Sequence, residues 1–134
     1  IGSGSGILSI AAAHLGAGEV LGIEVDPMAC EAARENLQAN GVEDRVRIVV
    51  DEIQGSEPIP EAPYQGIVAN IQRFILVPLL PVFRASLAKD AWMILSGILL
   101  EEREGLLRAT TEVGFRLDQE DQEGEWWSGV FQPL

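Results

Sequence analysis

Short apolar runs alternate along the chain with segments whose apolar residues recur at helical spacing. "ILSIAAAHLG" repeats apolar residues with a helical period and stops at Gly16, a C-terminal helix signal. "EVLGIEV" is a short β-rich run of the kind buried in a parallel sheet. "DPMACEAARENLQANG" predicts a second helix, with Asp26 as its cap, Pro27 at its first position and Asn40-Gly41 at its end. "RVRIVV" alternates as a strand, and "YQGIVANI" is another, preceded by the turn-rich "GSEPIPEAP". "ILVPLLPVFRASLAKD" predicts a helix in which Pro78 or Pro81 either makes a kink or pushes the start later. "AWMILSGI" then predicts a strand and "EEREGLLRATTEVG" a helix. "FRLDQEDQEGEWWSGVFQ" predicts two strands around an acidic turn. Alternating βα units of this length argue for an open, mainly parallel α/β sheet with helices on both faces and an antiparallel C-terminal hairpin.

With 134 residues, 47% of them hydrophobic, the chain suffices for one domain with its own core. No apolar run is long enough to cross a bilayer and no secretory leader opens the chain, so no membrane partner is expected. Cys30 is the only cysteine, which removes intrachain disulfides and cysteine-based metal clusters, and an intracellular location fits that count. No His, Cys and carboxylate spacing suggests a metal site. The net charge of −12 gives no bulk attraction for nucleic acid, so direct nucleic acid binding is not expected. The acids concentrate in "DEIQGSEPIPEAP" and "DQEDQEGE", either as solvated surface or as a field that steers a basic protein partner.

The chemistry concentrates at the expected carboxyl ends of the strands, where open α/β sheets bind ligands. Gly2, Gly4 and Gly6 form a G-x-G-x-G turn, with Ser3 inside it, that leads into the first helix. Glycine lets such a turn bend tightly and lets a ligand approach the backbone. Glu24 ends the next strand about twenty residues on, where an acid takes two ribose hydroxyls. Dinucleotide enzymes use G-x-G-x-x-G, and that register fails because position 7 is Ile7. The tighter spacing suits a nucleoside cofactor without phosphates, such as S-adenosylmethionine (SAM). An NAD-linked oxidoreductase is disfavoured on the same ground.

Asn70 closes "IVAN" at a strand end. Its carboxamide can accept a hydrogen bond from an attacking amine, with help from the Ile71 carbonyl, which aims the nitrogen lone pair. Asp51, after "RVRIVV", is either an acid near the adenine amino group or a turn former. Ser96 and Gly97 either line the target pocket or make a plain turn. His14 reads as structural and Cys30 as a small buried apolar residue. Trp126 and Trp127 should point to opposite faces of their strand, one to the core and one to an edge or contact surface.

Together "GSGSGILSIAAAHLGA", "GIEVDPMACEAARENLQANGV", "IVANI", "LSGIL" and "VGF…EGEW", in that order, resemble the class I SAM-dependent methyltransferases. Within them the sequence is similar to the ribosomal protein L11 methyltransferase (PrmA) family over essentially its whole length. The resemblance implies a Rossmann-like methyltransferase fold. It implies a cytoplasmic enzyme that transfers methyl groups from SAM to the N-terminal α-amine and lysine side chains of a basic ribosomal protein. Gly2, Ser3, Gly4, Gly6, Glu24 and Asp51 would hold SAM, and Asn70 would serve both cofactor and target amine. Two positions depart from the family: Glu24 stands where Asp is usual, and Gln72-Arg73 stand where a small pair such as Leu-Ala is common. The second departure keeps open another protein lysine or a small amine as the target. A non-catalytic SAM-binding partner module is the reading from a different class. Family members carry a short strand ending in Leu-Asp before the position of Ile1, and a substrate-recognition domain before that. The expectation is therefore residues 1–134 as a catalytic domain incomplete at its start, whose sheet would lack its first strand and leave backbone unpaired.

Overall fold

The computed structural model describes all 134 residues, which form two compact units, Ile1–Glu52 and Ile53–Leu134. In the first unit helix α1 (Ile7–His14) leads to strand β1 (Val20–Glu24), helix α2 (Pro27–Ala39) and strand β2 (Val46–Val50). Strands β1 and β2 pair in parallel from Val20↔Val46 to Glu24↔Val50. Helix α2 begins as its sequence predicts: the Asp26 carboxylate accepts the Met28 N–H at 2.9 Å and Pro27 occupies the first turn. Ala13, Cys30, Ala33, Leu37, Val42, Val46 and Ile48 form the core of this unit, with Ile10 and Val20 packed on it. Arg34 reaches the Ile48 carbonyl at 2.9 Å and Arg45 the Ala13 carbonyl at 2.9 Å, so one cation ties α2 to β2 and another ties the residue before β2 to α1.

The second unit holds β3 (Tyr64–Asn70), α3 (Arg73–Ser86), β4 (Leu87–Leu99), a short 3-10 turn (Leu100–Glu102), α4 (Arg103–Glu112), β5 (Phe115–Glu123) and β6 (Trp126–Pro133). Its sheet has the order β3-β4-β6-β5. The β3–β4 pair is parallel, and β4–β6 and β6–β5 are antiparallel, which gives the expected C-terminal hairpin. Leu76, Leu80, Phe83, Met93, Leu95, Ile98, Leu106, Phe115 and Phe131 are fully buried. The Trp127 ring meets Phe131 edge to face, with centroids 6.3 Å apart.

Two expectations about elements need correction. Helix α3 starts at Arg73, ahead of both prolines, and Leu87–Asp90 belong to β4 rather than to the helix. Pro78 and Pro81 sit inside α3 and are both exposed. Each removes an N–H that would bond the carbonyl four residues earlier, so Phe74 and Val77 lose a partner on a side of the helix that water reaches. The acidic run likewise is not a turn. Asp118, Glu120, Asp121 and Glu123 lie within β5, and only Gly124 and Glu125 separate it from β6.

Candidate active site

The first unit builds a cradle at the carboxyl end of β1. Gly2, Gly4 and Gly6 take φ values of +63°, +50° and +83°, a left-handed path that other residues rarely adopt. The turn is pinned from three sides. Ser3 donates its N–H to the Ile23 carbonyl at 3.1 Å, and Gly6 donates to the Ser3 carbonyl at 2.8 Å. The Asn36 carboxamide on α2 donates to the Ser5 carbonyl at 2.9 Å. A Cβ on Gly6 would stand 3.2 Å from the Ala33 Cβ, so this glycine lets α1 close on α2. A Cβ on Gly4 would meet nothing within 4 Å, so the loop is open there.

Glu24 ends β1, half-buried, and its carboxylate accepts the Val25 N–H at 2.9 Å. Asp51 follows β2 and donates its N–H to the Glu24 carbonyl at 3.0 Å, which brings the two acids to the same strand ends. The Asp51 carboxylate also accepts the Glu52 N–H at 2.8 Å, the local bond of a turn-forming Asp. The structure thus unites Gly2, Ser3, Gly4, Gly6, Glu24 and Asp51 in one unit. One contributor escapes a reading for motifs: a Cβ on Gly22 would stand 2.5 Å from Ile48 Cδ1 and 3.3 Å from the Ser3 Cβ. A side chain at position 22 would crowd Ile48 and the Ser3 side chain of the glycine loop.

Cys30 is buried, and its thiol approaches the Glu24 and Val49 carbonyls at 3.6 and 3.8 Å. Burial pushes the thiol pKa up, against the pull of Arg34, so it behaves as a small core residue and not as a nucleophile. His14 is exposed in the last turn of α1.

The second unit holds a cavity of about 550 Å³ at the end of β3. Asn70, the exposed last residue of β3, lines it with Ile71 and Gln72. Ser96 and Gly97 of β4, Asp121 and Glu123 of β5, and Trp126, Trp127 and Ser128 of β6 complete the lining. Ser96 is the register partner of Asn70. The facing pairs Asp121↔Ser128 and Glu123↔Trp126 share one face of the hairpin. Trp126 is 53% exposed and Trp127 2%, so the two tryptophans divide between surface and core as expected. Of the two readings for Ser96 and Gly97, the plain turn does not hold, because both residues lie within β4. The two carboxylates come from a charge run that reads as solvated surface until the hairpin register is known. No group of three or more His, Cys, Asp or Glu side chains is arranged to hold a metal ion.

The model of the family described as ribosomal protein L11 methyltransferase (PrmA) matches residues 1–133. A ribosomal protein L11 methyltransferase of Gloeobacter violaceus is 35% identical over 126 residues, 94% of this chain and 39% of that protein. One of Symbiobacterium thermophilum is 41% identical over 112 residues, 84% of this chain and 35% of that protein. The chain thus spans about two fifths of the length of such relatives. The crystal structure of ribosomal protein L11 methylase from Lactobacillus delbrueckii subsp. bulgaricus superposes with a TM-score of 0.88 at 32% identity, covering 98% of this chain and 66% of that one. An RNA methyltransferase from Salinibacter ruber, solved with S-adenosyl-L-homocysteine, shares the fold at a TM-score of 0.72 and 20% identity, covering 98% of this chain and 77% of that one.

Proposed function

The chain belongs to the ribosomal protein L11 methyltransferase (PrmA) family, and from that premise we propose that residues 1–134 are the catalytic domain of a SAM-dependent protein N-methyltransferase. Its substrate is a basic ribosomal protein, L11, and its setting is the cytoplasm. No helix is long and apolar enough to cross a membrane. The observation that carries the reading is the cradle: three left-handed glycines, open space above Gly4, and Glu24 at the end of the adjoining strand.

The residues present fit SAM. The cofactor has no phosphates, and the cradle offers no cationic side chain for any. The buried Ser3 Oγ has no hydrogen-bond partner within the protein, and a ligand on the loop would supply one. Gly2, Ser3, Gly4 and Gly6 would hold the methionine part, Glu24 the ribose hydroxyls and Asp51 the adenine amino group. When bound, SAM supplies an activated methyl group. The chain's own residues position the acceptor. The Asn70 carboxamide oxygen and the Ile71 carbonyl accept hydrogen bonds from the neutral target amine and orient its lone pair. No covalent enzyme intermediate is needed, so alignment provides most of the rate. Asp121, Glu123 and the exposed face of Trp126 supply the cavity with groups that favour an incoming cation. Such a lining suits an ammonium group before it loses its proton.

The test is calorimetric titration of SAM into the full-length protein and its Glu24→Ala variant, followed by methylation of purified L11 by wild type and Asn70→Ala. We expect Glu24→Ala to weaken SAM binding by at least about tenfold, the scale of one or two lost hydrogen bonds to a charged group. Asn70→Ala should lose methyl transfer by about 100-fold or more, a loss well beyond any weakening of SAM binding that its share in holding the cofactor brings. Absence of SAM binding by wild type would overturn the reading. Methylation of other basic proteins in preference to L11 would redirect the substrate and keep the chemistry.

A further inference from the structure

Strand β4 carries one residue too many where it passes Asn70. Leu95 pairs with Gly129 and Ile98 with Trp127, so Ser96 and Gly97 together oppose the single residue Ser128. Such a bulge bends its strand and re-aims the neighbouring side chains. Gly97 occupies it with φ at +77°. A Cβ at this position would collide with Oδ1 of Asn70, and would stand 3.3 Å from the Ile71 N and 3.4 Å from the Ile71 O. All three atoms belong to the pair of residues assigned to the target amine.

We infer that Gly97 is the positioning residue for Asn70: the bulge brings a bare backbone against the carboxamide, and the missing side chain is the space that the carboxamide oxygen occupies. This inference rests on the catalytic assignment of Asn70. The neighbourhood of the other glycines shows that conformation alone does not explain the residue. Gly55 has nearly the same φ, +73°, and a Cβ there would meet nothing within 4 Å. At Gly97 the left-handed backbone and the occupied space coincide. A methyl group at 97 must therefore rotate the carboxamide away or push the chain at Ile71, and either movement misaligns the acceptor oxygens.

The experiment compares Gly97→Ala, Gly55→Ala, Asn70→Ala and the double variant Asn70→Ala/Gly97→Ala in the full-length protein, with turnover and melting temperature measured for each. Gly97→Ala should lower kcat by about 100-fold, as expected for a misplacement near 1 Å, and should lower SAM affinity by a much smaller factor. Gly55→Ala should keep kcat within about twofold and report the melting-temperature loss caused by positive φ alone. In the Asn70→Ala background the collision is gone, so Gly97→Ala should cost clearly fewer degrees than it does in wild type. Strictly additive melting-temperature losses, or a Gly97→Ala enzyme with wild-type kcat, would overturn the inference. If Gly97→Ala does not fold, recovery of folded protein by the added Asn70→Ala supports it and failure to recover refutes it. The thermal coupling reads the Gly97–Asn70 contact whether or not L11 is methylated, so it is separable from a failure of the proposed reaction.

Discussion

The carboxylate of Glu120 accepts the indole N–H of Trp127 at 2.8 Å. The same carboxylate takes the Arg103 guanidinium at 2.7 and 2.9 Å, and that guanidinium lies 5.8 Å from the centre of the Trp127 ring. An anion on β5, a cation on α4 and a buried indole on β6 thus hold one another, and Trp127 is also a wall of the Asn70 cavity. These bonds, that from Arg103 first and that from Trp127 second, hold the Glu120 carboxyl at about 2, well below its ordinary 4.5. A depressed carboxyl contributes stability above its unfolded value, and this contribution is lost as pH falls through the folded value. Stability should therefore decline between pH 4.5 and about 2 partly through this group. Acid unfolding followed by tryptophan fluorescence should show a shallower slope in that window for Glu120→Gln. An unchanged slope would remove Glu120 from the titration.

A second expected outcome concerns the support of the glycine loop. Gly22→Ala places a methyl group 2.5 Å from Ile48 Cδ1, 3.2 Å from Ser9 Oγ and 3.3 Å from the Ser3 Cβ. Ile48 is itself only 4% exposed and has little room to yield. Overpacking of this kind costs about 1–3 kcal/mol. Urea unfolding should show that loss, and SAM titration should show weaker binding because Ser3 is displaced.

Ser86 connects the loop after Glu52 to α3. Its hydroxyl is fully buried, accepts the Ile59 N–H at 2.8 Å and donates to the Val82 carbonyl at 2.7 Å. Ser86→Ala strands the Ile59 N–H away from water, which costs about 1–3 kcal/mol. Ser86→Ala should therefore lower the unfolding free energy measured in urea by that amount, and hydrogen exchange at Ile59 should accelerate with it.

Loss of the α2 cap gives a smaller effect. Asp26→Ala removes the acceptor of the Met28 N–H and should cost about 1 kcal/mol by the same measurement. A negligible change would show that water replaces the carboxylate at this exposed end.

Much of this architecture is legible in residue order because local chemistry and tertiary demand agree. Asp26-Pro27 and Asn40-Gly41 fix α2 at both ends, and the spacing of Gly2, Gly4, Gly6 and Glu24 marks the cradle before any strand is paired. Asn70 is legible because it closes a buried strand in a βα context. What escapes depends on pairings between distant segments. The prolines of α3 mislead because their helix-breaking tendency is local, whereas their exposure, which makes them tolerable, is tertiary. Gly22 and Gly97 are inconspicuous in sequence because their importance lies in what stands opposite: Ile48 and Ser3 in one case, Asn70 in the other. The acids of β5 divide by strand parity, Glu120 toward Trp127 and Asp121 and Glu123 toward the cavity, and parity needs a register.

Strand β5 lies at the margin of its sheet, paired on one side only, and four carboxylates stud its nine residues. An open β margin is a template on which another copy could polymerise. Two such margins brought together through residues 118–123 would set carboxylates beside carboxylates, at a spacing of about 5 Å between neighbouring strands. At neutral pH the copies repel each other. The same run of acids thus works against edge-to-edge growth of the sheet from one copy to the next.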